Sequence, residues 1–341
     1  MKMKKLVLID GNAIVHRAYH ALPPFHTHKG LPTNAIYGFF AMVLKAVNDL
    51  RPEYLVVTFD RAAPNFRQQL FVGYQAQRPK MKDELSSQFV LLHEILEKAK
   101  FKLFEVDGYE ADDMIGTIAY QAVSKQQTDH SKNKKAVVGS QKAESIDVII
   151  LSGDRDLLQL VNGHVRMMAP ITGVTKMILF DKDKVLEKYG LEPHQIPDYK
   201  ALVGDPSDNY PGVSGIGPKT ASDLIKKFHT LENLYKNLAE VPPKISEKLA
   251  TDAEQSFLAK KLATIDVNAP IKFDPKECKA DMIDEKSLLE SFKMLGFRSL
   301  IDRFNLEKVE EITEIKESVR LAQDKKEVKK EKPKDDQLGL L

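Results

Sequence analysis

The run KKLVLID occupies residues 4–10 and is the first of four short segments rich in β-branched, leucine and aromatic residues. The other three are EYLVVTFD (53–60), FKLFEVD (101–107) and DVIILSGD (147–154). Apolar runs of this length are typical of strands buried on both faces. Helical patterns separate them, among them GFFAMVLKAVNDL from Gly38 and LSSQFVLLHEILEKAK from Leu85. This alternation predicts an α/β fold with a largely parallel sheet flanked by helices.

Length and composition indicate an ordinary globular protein. The 341 residues, 43% of them hydrophobic, can bury one large core or two modest ones. The one cysteine, Cys278, excludes an intramolecular disulfide and a multi-cysteine zinc site, which suits a cytoplasmic location. Apolar runs are too short for a membrane span or signal peptide, so we expect no membrane partner. Lys and Arg number 51 against 49 Asp and Glu, so overall charge does not indicate a polyanionic partner.

The composition changes along the chain. Residues 1–180 carry the strand pattern, and from Asp181 short helical patterns joined by Gly- and Pro-containing turns predict a helical region at 181–306. Residues 307–341 are charge-dense and include DKKEVKKEKPKDD, which predicts a disordered tail. The polar stretch 124–145 predicts a surface insertion between a helix and the fourth strand.

Acidic residues follow the predicted strands or lie in turns nearby. Each alone has a structural explanation as a helix cap, an acidic first helical turn or a turn residue. The carboxyl ends of parallel strands share one edge of the sheet, however, and carboxylates gathered there repel one another unless they are protonated or bridged by cations. The nine candidates are Asp10, Asp60, Glu110, Asp112, Asp113, Asp154, Asp156, Asp205 and Asp208.

An oxygen-rich cluster without Cys or paired His ligands selects Mg²⁺ or Mn²⁺ over zinc. Two such ions can polarise a scissile phosphate, activate a water and stabilise the leaving oxygen. The acids therefore predict hydrolysis of phosphodiesters by two metal ions. A structural Mg²⁺ or Ca²⁺ protein is the alternative, but it leaves the next motif unexplained.

The segment PGVSGIGPKTASDLIKKF (211–228) places three glycines before a helix predicted to begin near Pro218. Glycine lets a backbone approach a phosphate closely, and the helix N-terminus favours an anion. The segment is neither a Walker loop nor a dinucleotide fingerprint. It predicts a helix-hairpin-helix that grips a duplex backbone, with a plain helix-helix turn as the alternative. Its predicted DNA contacts are Gly212, Gly215, Gly217, Lys219 and Thr220.

A second basic and aromatic segment, FRQQLFVGYQAQRPKMK, covers residues 66–82. Its cations can contact phosphates, and Phe71 or Tyr74 can stack on an unpaired base. A solvated amphipathic segment is the alternative. The predicted DNA contacts here are Arg67, Tyr74, Arg78 and Lys80, with Lys82 nearby.

These motifs together resemble the bacterial 5′ nuclease module that forms the amino-terminal part of DNA polymerase I and is related to flap endonucleases. The resemblance extends from Lys4 to Asn305. It rests on DGNAIVHRAYHALPP, TNAIYGFF, FDRAAPNFR, GYEADDMIGT, GDRDLLQLV, DPSDNYPGVSGIGPKTA and FKMLGFRSLIDRF. It implies a PIN-like fold, 5′ to 3′ exonuclease and flap endonuclease activity on branched, flapped or nicked DNA, and roles in lagging-strand maturation and repair.

The resemblance also assigns residues. It implies a first metal held mainly by Asp10, Asp60, Glu110 and Asp112, and a second held mainly by Asp113, Asp154, Asp156, Asp205 and Asp208. It implies an arch or gateway at about 66–95, a catalytic Arg78, a DNA contact at Arg17, a monomeric enzyme and K⁺ at the hairpin. One position departs from the family: Gln75 in YQAQR stands where a lysine is usual, which predicts a reduced rate.

The last five residues, QLGLL, resemble the short peptide by which bacterial replication proteins bind the sliding clamp. A tether of this kind would raise the local concentration of the enzyme at nicks. A terminus without function and the cut edge of an interdomain linker are the alternatives. The predicted clamp contacts are Gln337, Leu338, Leu340 and Leu341.

Two other functions remain open from the sequence. One is removal of RNA primers as the main activity, which changes the substrate more than the chemistry. The other is a noncatalytic, clamp-tethered binder of branched DNA, which the nine retained acids disfavour.

Overall fold

The computed structural model describes residues 3–131 and 146–304. Its centre is a six-stranded sheet in the order β3-β2-β1-β4-β5-β6. All neighbouring strands are parallel except β5 and β6, which form an antiparallel edge hairpin. The predicted largely parallel sheet is confirmed. The strands are β1 (Lys4–Asp10), β2 (Tyr54–Thr58), β3 (Lys102–Phe104), β4 (Ile146–Leu151), β5 (Val165–Thr172) and β6 (Lys176–Phe180).

Strand β1 lies in the middle of the sheet because its side chains are apolar on both faces. Leu8 pairs with Val56 on one side and with Ile150 on the other. All three side chains are fully buried, as expected for a parallel sheet covered by helices. The carboxyl end of β1, at Asp10, therefore lies between the ends of β2 and β4.

Five helices accompany the first four strands. Helix α2 packs closely on α1, because Gly38 leaves room for Ala18: a Cβ added at Gly38 would lie 2.6 Å from the Ala18 Cβ. The helices are α1 (Gly11–Ala21), α2 (Asn34–Leu50), α3 (Phe66–Leu70), α4 (Asp83–Lys98) and α5 (Ala111–Ser131). Helix α3, the turns after it and α4 make up the segment predicted as the arch.

Several predicted boundaries need correction. Strands β2, β3 and β4 end before the aspartates that close their sequence runs, so only β1 ends directly on its acid. Helix α5 continues to Ser131, so the first part of the predicted insertion at 124–145 is helical. The hairpin of β5 and β6 was not predicted. It turns at Gly173, whose φ of 60° lies in the left-handed region.

The chain is mainly helical after β6, as predicted from Asp181 onward. The short strands β7 and β8 form an antiparallel pair. The backbone approaches itself so closely beside this pair that a Cβ added at Gly212 would clash with the Gly204 nitrogen. Helix α8 begins at Pro218, as predicted, and packs into a second apolar core with α7 and α9. The elements are α6 (Lys182–Tyr189), α7 (Ile196–Val203), β7 (Gly204–Asp205), β8 (Tyr210–Pro211), α8 (Pro218–Phe228), α9 (Leu231–Lys236), α10 (Pro243–Thr251), α11 (Ala253–Ala263) and α12 (Glu285–Leu295).

By its internal packing the chain divides into two compact units after Ser291. The first unit contains the sheet and the helices up to the middle of α12. In the second, the rings of Phe292 and Phe297 lie 6.1 Å apart. Within the described ranges no helix has the length and apolar character needed to cross a bilayer. The predicted tail, QLGLL and residues 132–145 lie outside the described residues.

Candidate active site

A cavity of about 620 Å³ opens at the carboxyl edge of the sheet. The helical region supplies part of its wall through Leu262, Ala263 and Ile265, and the segment after α3 supplies another part. Seven of the nine predicted acids line it, so their convergence follows from the topology of the parallel strands. These seven are Asp10, Asp60, Glu110, Asp112, Asp154, Asp156 and Asp208.

Asp10 links the end of β1 to the end of β4. Its Oδ1 accepts the N–H of Ala13 at 2.9 Å and so caps α1, while its Oδ2 accepts the Ser152 hydroxyl at 2.6 Å. The Ser152 Oγ accepts the N–H of Asp154 at 2.9 Å. Burial raises the pKa of Asp10 to about 7. Ser152 thus fixes two predicted ligands, Asp10 and Asp154. The sequence gave no signal for this role, because a single serine after a strand belongs to no motif.

Asp60 and Asp112 lie at the N-terminal end of α5. The Asp60 Oδ1 accepts the N–H of Ala111 at 2.7 Å, so the helix N-terminus holds this carboxylate. Burial and then the nearby charges of Asp154 and Asp10 raise the pKa of Asp112 well above its usual value. The cluster therefore favours bound protons or bound cations over free negative charge.

Glu110 sits in a dense network of donors. Its Oε1 accepts the Asn65 amide at 2.9 Å and the Gln75 amide at 3.1 Å, and its Oε2 accepts Arg67 Nη1 at 2.8 Å. Burial raises the pKa of Glu110 to about 7, although the Arg67 charge opposes the rise. Glu110 is therefore held in one position beside the cavity.

Asp113 and Arg67 form a buried ion pair, which corrects two predictions. Arg67 is 2% exposed and Asp113 is fully buried. Arg67 Nη2 donates to Asp113 Oδ1 at 2.7 Å and Nη1 donates to Oδ2 at 2.8 Å. The N–H groups of Asp266 and Glu110 complete the Asp113 carboxylate at 2.9 and 3.0 Å. The Arg67 guanidinium is therefore occupied by these acids and is not free for a DNA phosphate. Asp113 does not border the cavity and supports the site from behind.

The prediction that Tyr74 stacks on a base is also wrong. Tyr74 is 4% exposed, and its ring packs near that of Tyr210 with 6.4 Å between centroids. Its hydroxyl lies 3.2 Å from Glu110 Oε2 and 3.3 Å from Asp208 Oδ2. Tyr74 therefore forms part of the cavity wall and bridges two of its acids.

The second carboxylate cluster consists of Asp156, Asp205 and Asp208. One oxygen of each lies within 4.8 Å of the others, a separation that allows shared coordination of a cation. Lys200, on α7, donates to both Asp156 and Asp205. Burial and then the charge of Asp154 raise the pKa of Asp156 to about 7. For Asp205 burial is the largest single effect, but the charge and hydrogen bond of Lys200 and the backbone N–H groups of Ser207 and Asp208 together outweigh it and lower the pKa. Lys200 had no motif to mark it in the sequence.

Gln75 and Arg78 connect the two groups of acids. The Gln75 amide donates to Glu110 Oε1 and to Asp208 Oδ1, each at 3.1 Å, from a residue whose φ is 56°. Arg78 Nη2 donates to Asp208 Oδ1 at 2.6 Å, and its side chain remains 51% exposed. Arg78 thus presents a half-exposed guanidinium to the cavity, which Lys80 also lines.

The hairpin before α8 exposes its backbone. Gly215 has a φ of 72°, and its carbonyl accepts from Lys248 Nζ at 3.0 Å. Gly217 is the N-cap of α8, and a Cβ added there would meet nothing within 4 Å. Lys219 is exposed in the first turn of α8, and Thr220 follows it half-buried. Arg17 lies elsewhere: its Nη2 donates to the Ile171 carbonyl in the β5–β6 hairpin at 2.8 Å, outside the cavity wall.

Comparison with known proteins shows the family and supports the fold. Residues 5–190 match the family model of the 5′-3′ exonuclease N-terminal resolvase-like domain, and residues 191–286 match that of the 5′-3′ exonuclease C-terminal SAM fold. Among solved structures, bacteriophage T5 flap endonuclease in a pseudo-enzyme-product complex with DNA and metal ions has the same fold. It is 20% identical, with a TM-score of 0.58 over 86% of this chain and 100% of that one.

Two relatives of known name are more similar in sequence. DNA polymerase I of Bacillus caldotenax is 39% identical over 309 residues, which are 90% of this chain but 33% of the relative, so the chain spans about a third of that polymerase. A 5′-3′ exonuclease of Aquifex aeolicus is 38% identical over 299 residues, which are 88% of this chain and 94% of the relative. With both family models and a full-length relative in agreement, this chain belongs to the 5′-3′ exonuclease family and is a nuclease.

Proposed function

We propose that this nuclease hydrolyses phosphodiester bonds in DNA near a 5′ end, at flaps and nicks, with two divalent metal ions. One observation carries the proposal: two groups of carboxylates border a single cavity, and an exposed guanidinium, Arg78, lies beside the second group. A carboxylate cluster alone would fit a structural ion. A cation aimed into the same cavity fits a phosphate substrate.

The donor set fits Mg²⁺ or Mn²⁺. All candidate ligands offer carboxylate oxygens, which hard divalent ions prefer. Burial raises the pKa of Asp10, Glu110 and Asp156 to about 7 each, so a bound cation would stabilise their charged forms. Bound metal would polarise the scissile phosphate and lower the pKa of an attacking water. We assign one ion to Asp10, Asp60, Glu110 and Asp112, and the other to Asp154, Asp156, Asp205 and Asp208.

The protein's own groups prepare this site. Ser152 and the N–H of Ala111 hold Asp10 and Asp60 in place, so these ligands need little reorganisation. Lys200 neutralises Asp156 and Asp205 in the metal-free protein and must shift when an ion replaces it. Arg78 can exchange Asp208 for a phosphate oxygen, since both are anionic acceptors and its side chain is half-exposed.

The hairpin before α8 binds the phosphate backbone of duplex DNA. The open backbone at Gly217 and the N-terminus of α8 offer N–H donors to a phosphate without reading base sequence. K⁺ at this hairpin is part of the proposal, as is a monomeric enzyme acting in lagging-strand maturation and repair. The T5 flap endonuclease structure, which contains DNA and metal ions, supports the substrate class.

A cleavage assay with a 5′-labelled flap in Mg²⁺ tests the proposal. The wild type should release the flap, and Asp208→Asn should lose cleavage while retaining flap binding in Ca²⁺. A wild type that binds flaps tightly without cutting them would favour the noncatalytic binder instead. A second substrate with RNA in the displaced strand decides whether primer removal is the main activity, since faster cleavage of RNA would favour that alternative.

The clamp contact of residues 337–341 remains a separate proposal. Deleting these five residues should weaken binding to a bacterial sliding clamp and leave flap cleavage without the clamp unchanged. An unchanged clamp affinity would eliminate the tether.

A further inference from the structure

Two cations share one aromatic ring beside the second carboxylate cluster. Arg155 Cζ lies 5.2 Å from the centroid of the Phe180 ring, and Lys188 Nζ lies 5.4 Å from it. Arg155 stands between two predicted ligands in the sequence, and Lys188 lies in the last turn of α6. Phe180 is 4% exposed, while both basic residues are exposed. The two charges are thus presented to solvent at one place.

Within the described residues these two cations have no acidic partner, unlike Lys182 and Lys200 nearby. Lys182 pairs with Glu192 at 3.0 Å, and Lys200 pairs with Asp156 and Asp205. Neither Arg155 nor Lys188 forms an ion pair in the ranges 3–131 and 146–304. Burial lowers the pKa of Lys188, and the Arg155 charge lowers it further. An anion placed between the two would relieve this repulsion.

Covering an apolar ring explains the position of the two side-chain stems, because lysine and arginine often lie along apolar surface. It does not explain why two like charges gather there. Arg155 is one residue from Asp154 and from Asp156, and both acids line the cavity while Arg155 turns away from it. The pair therefore borders the turn that carries these two cavity acids.

We propose that Arg155 and Lys188 bind a backbone phosphate of the substrate strand that flanks the cleaved bond. This subsite rests on the proposed function, since it takes the same nucleic acid. Arginine offers two N–H groups to phosphate oxygens and lysine offers a point charge, a combination suited to one phosphodiester. The subsite positions the strand and takes no part in bond breaking.

A charge-matched pair of variants tests the subsite. Lys188→Gln removes one of the two cations. Lys184→Gln makes the same charge change on α6 at an exposed lysine that donates to the Leu179 carbonyl at 2.8 Å. With full-length protein and 5′-flap DNA in Ca²⁺, Lys188→Gln should weaken binding about fivefold and lower the salt slope of log K by about one. Equal binding constants and slopes for the two variants would overturn the subsite.

A neutral methylphosphonate, placed in turn at each linkage beside the cleavage site, locates the phosphate. At one linkage the methylphosphonate should weaken DNA binding by the wild type. At the same linkage it should change binding by Lys188→Gln little, because this variant already lacks the lysine that contacts the phosphate. Additive losses at every linkage would overturn the proposal. A wild type that binds flaps but does not cleave them in Mg²⁺ would refute the proposed function, and the binding comparison would still decide the subsite. Absence of DNA binding by the wild type would overturn both.

Discussion

Replacing Arg67 with methionine should lower the free energy of unfolding by about 3–5 kcal/mol, because it leaves a buried charge without its partner. Asp113 is fully buried and receives two hydrogen bonds from Arg67, at 2.7 and 2.8 Å. Arg67 also donates to Glu110 at 2.8 Å and to the carbonyls of Leu262 and Thr264, each at 2.9 Å. Methionine fills much of the volume but satisfies none of these five acceptor atoms, so the loss should reach the upper part of this range.

Urea unfolding of the metal-free protein, followed by circular dichroism, measures this loss. Arg78→Met is the matched control, since its guanidinium is 51% exposed and contacts Asp208 alone among the described carboxylates. That change should cost less than about 1 kcal/mol and weaken flap binding. The assignment of Arg67 to the core would be refuted if Arg67→Met were as stable as the wild type and lost DNA affinity as Arg78→Met does. Arg67 would then be a DNA contact, as the sequence predicted.

Three further predictions concern the charges of the cavity. Gln75→Lys should raise flap turnover, because it adds a positive charge near the scissile phosphate, and unchanged turnover would contradict the prediction. In EDTA, thermal stability should fall between about pH 4 and pH 7, because folding raises the pKa of Asp10, Glu110 and Asp156 to about 7 and the favourable protonation is lost as pH rises. A stability that rises across this window would show that other groups dominate. Lys200→Met should lower the melting temperature in EDTA at pH 8 more than in saturating Mg²⁺, and equal losses would mean that Lys200 and metal do not share the second cluster.

The sequence was sufficient for the sheet and for the edge at which the acids meet. Continuous apolar character identifies buried strands such as KKLVLID in the sequence. Parallel pairing of these strands then places Asp10 near Asp154 at one edge of the sheet. The glycines and Pro218 likewise marked the start of α8, because few other residues suit that backbone. These features depend on local sequence and on the general topology of α/β sheets.

Other features depend on contacts between distant residues. Arg67 and Tyr74 looked like surface residues in a basic segment, yet they meet Asp113 and Glu110 across 46 and 36 positions of sequence. Whether a cation faces solvent or a buried carboxylate depends on which face of the segment packs inward. Lys200 is similar, since the pattern of α7 predicts a helix but does not indicate that a lysine will enter a carboxylate cluster. Long-range pairing therefore decided which charged residues remain free for substrate.

The rate of flap cleavage as a function of free Mg²⁺ tests the central claim most directly. Under single-turnover conditions with wild-type protein and a 5′-labelled flap, cleavage should be absent in EDTA. It should rise at low Mg²⁺ with an order of about two, as expected if both carboxylate groups must bind metal. Cleavage that persists in EDTA, or a wild type that never cuts the flap at any Mg²⁺ concentration, would contradict the account.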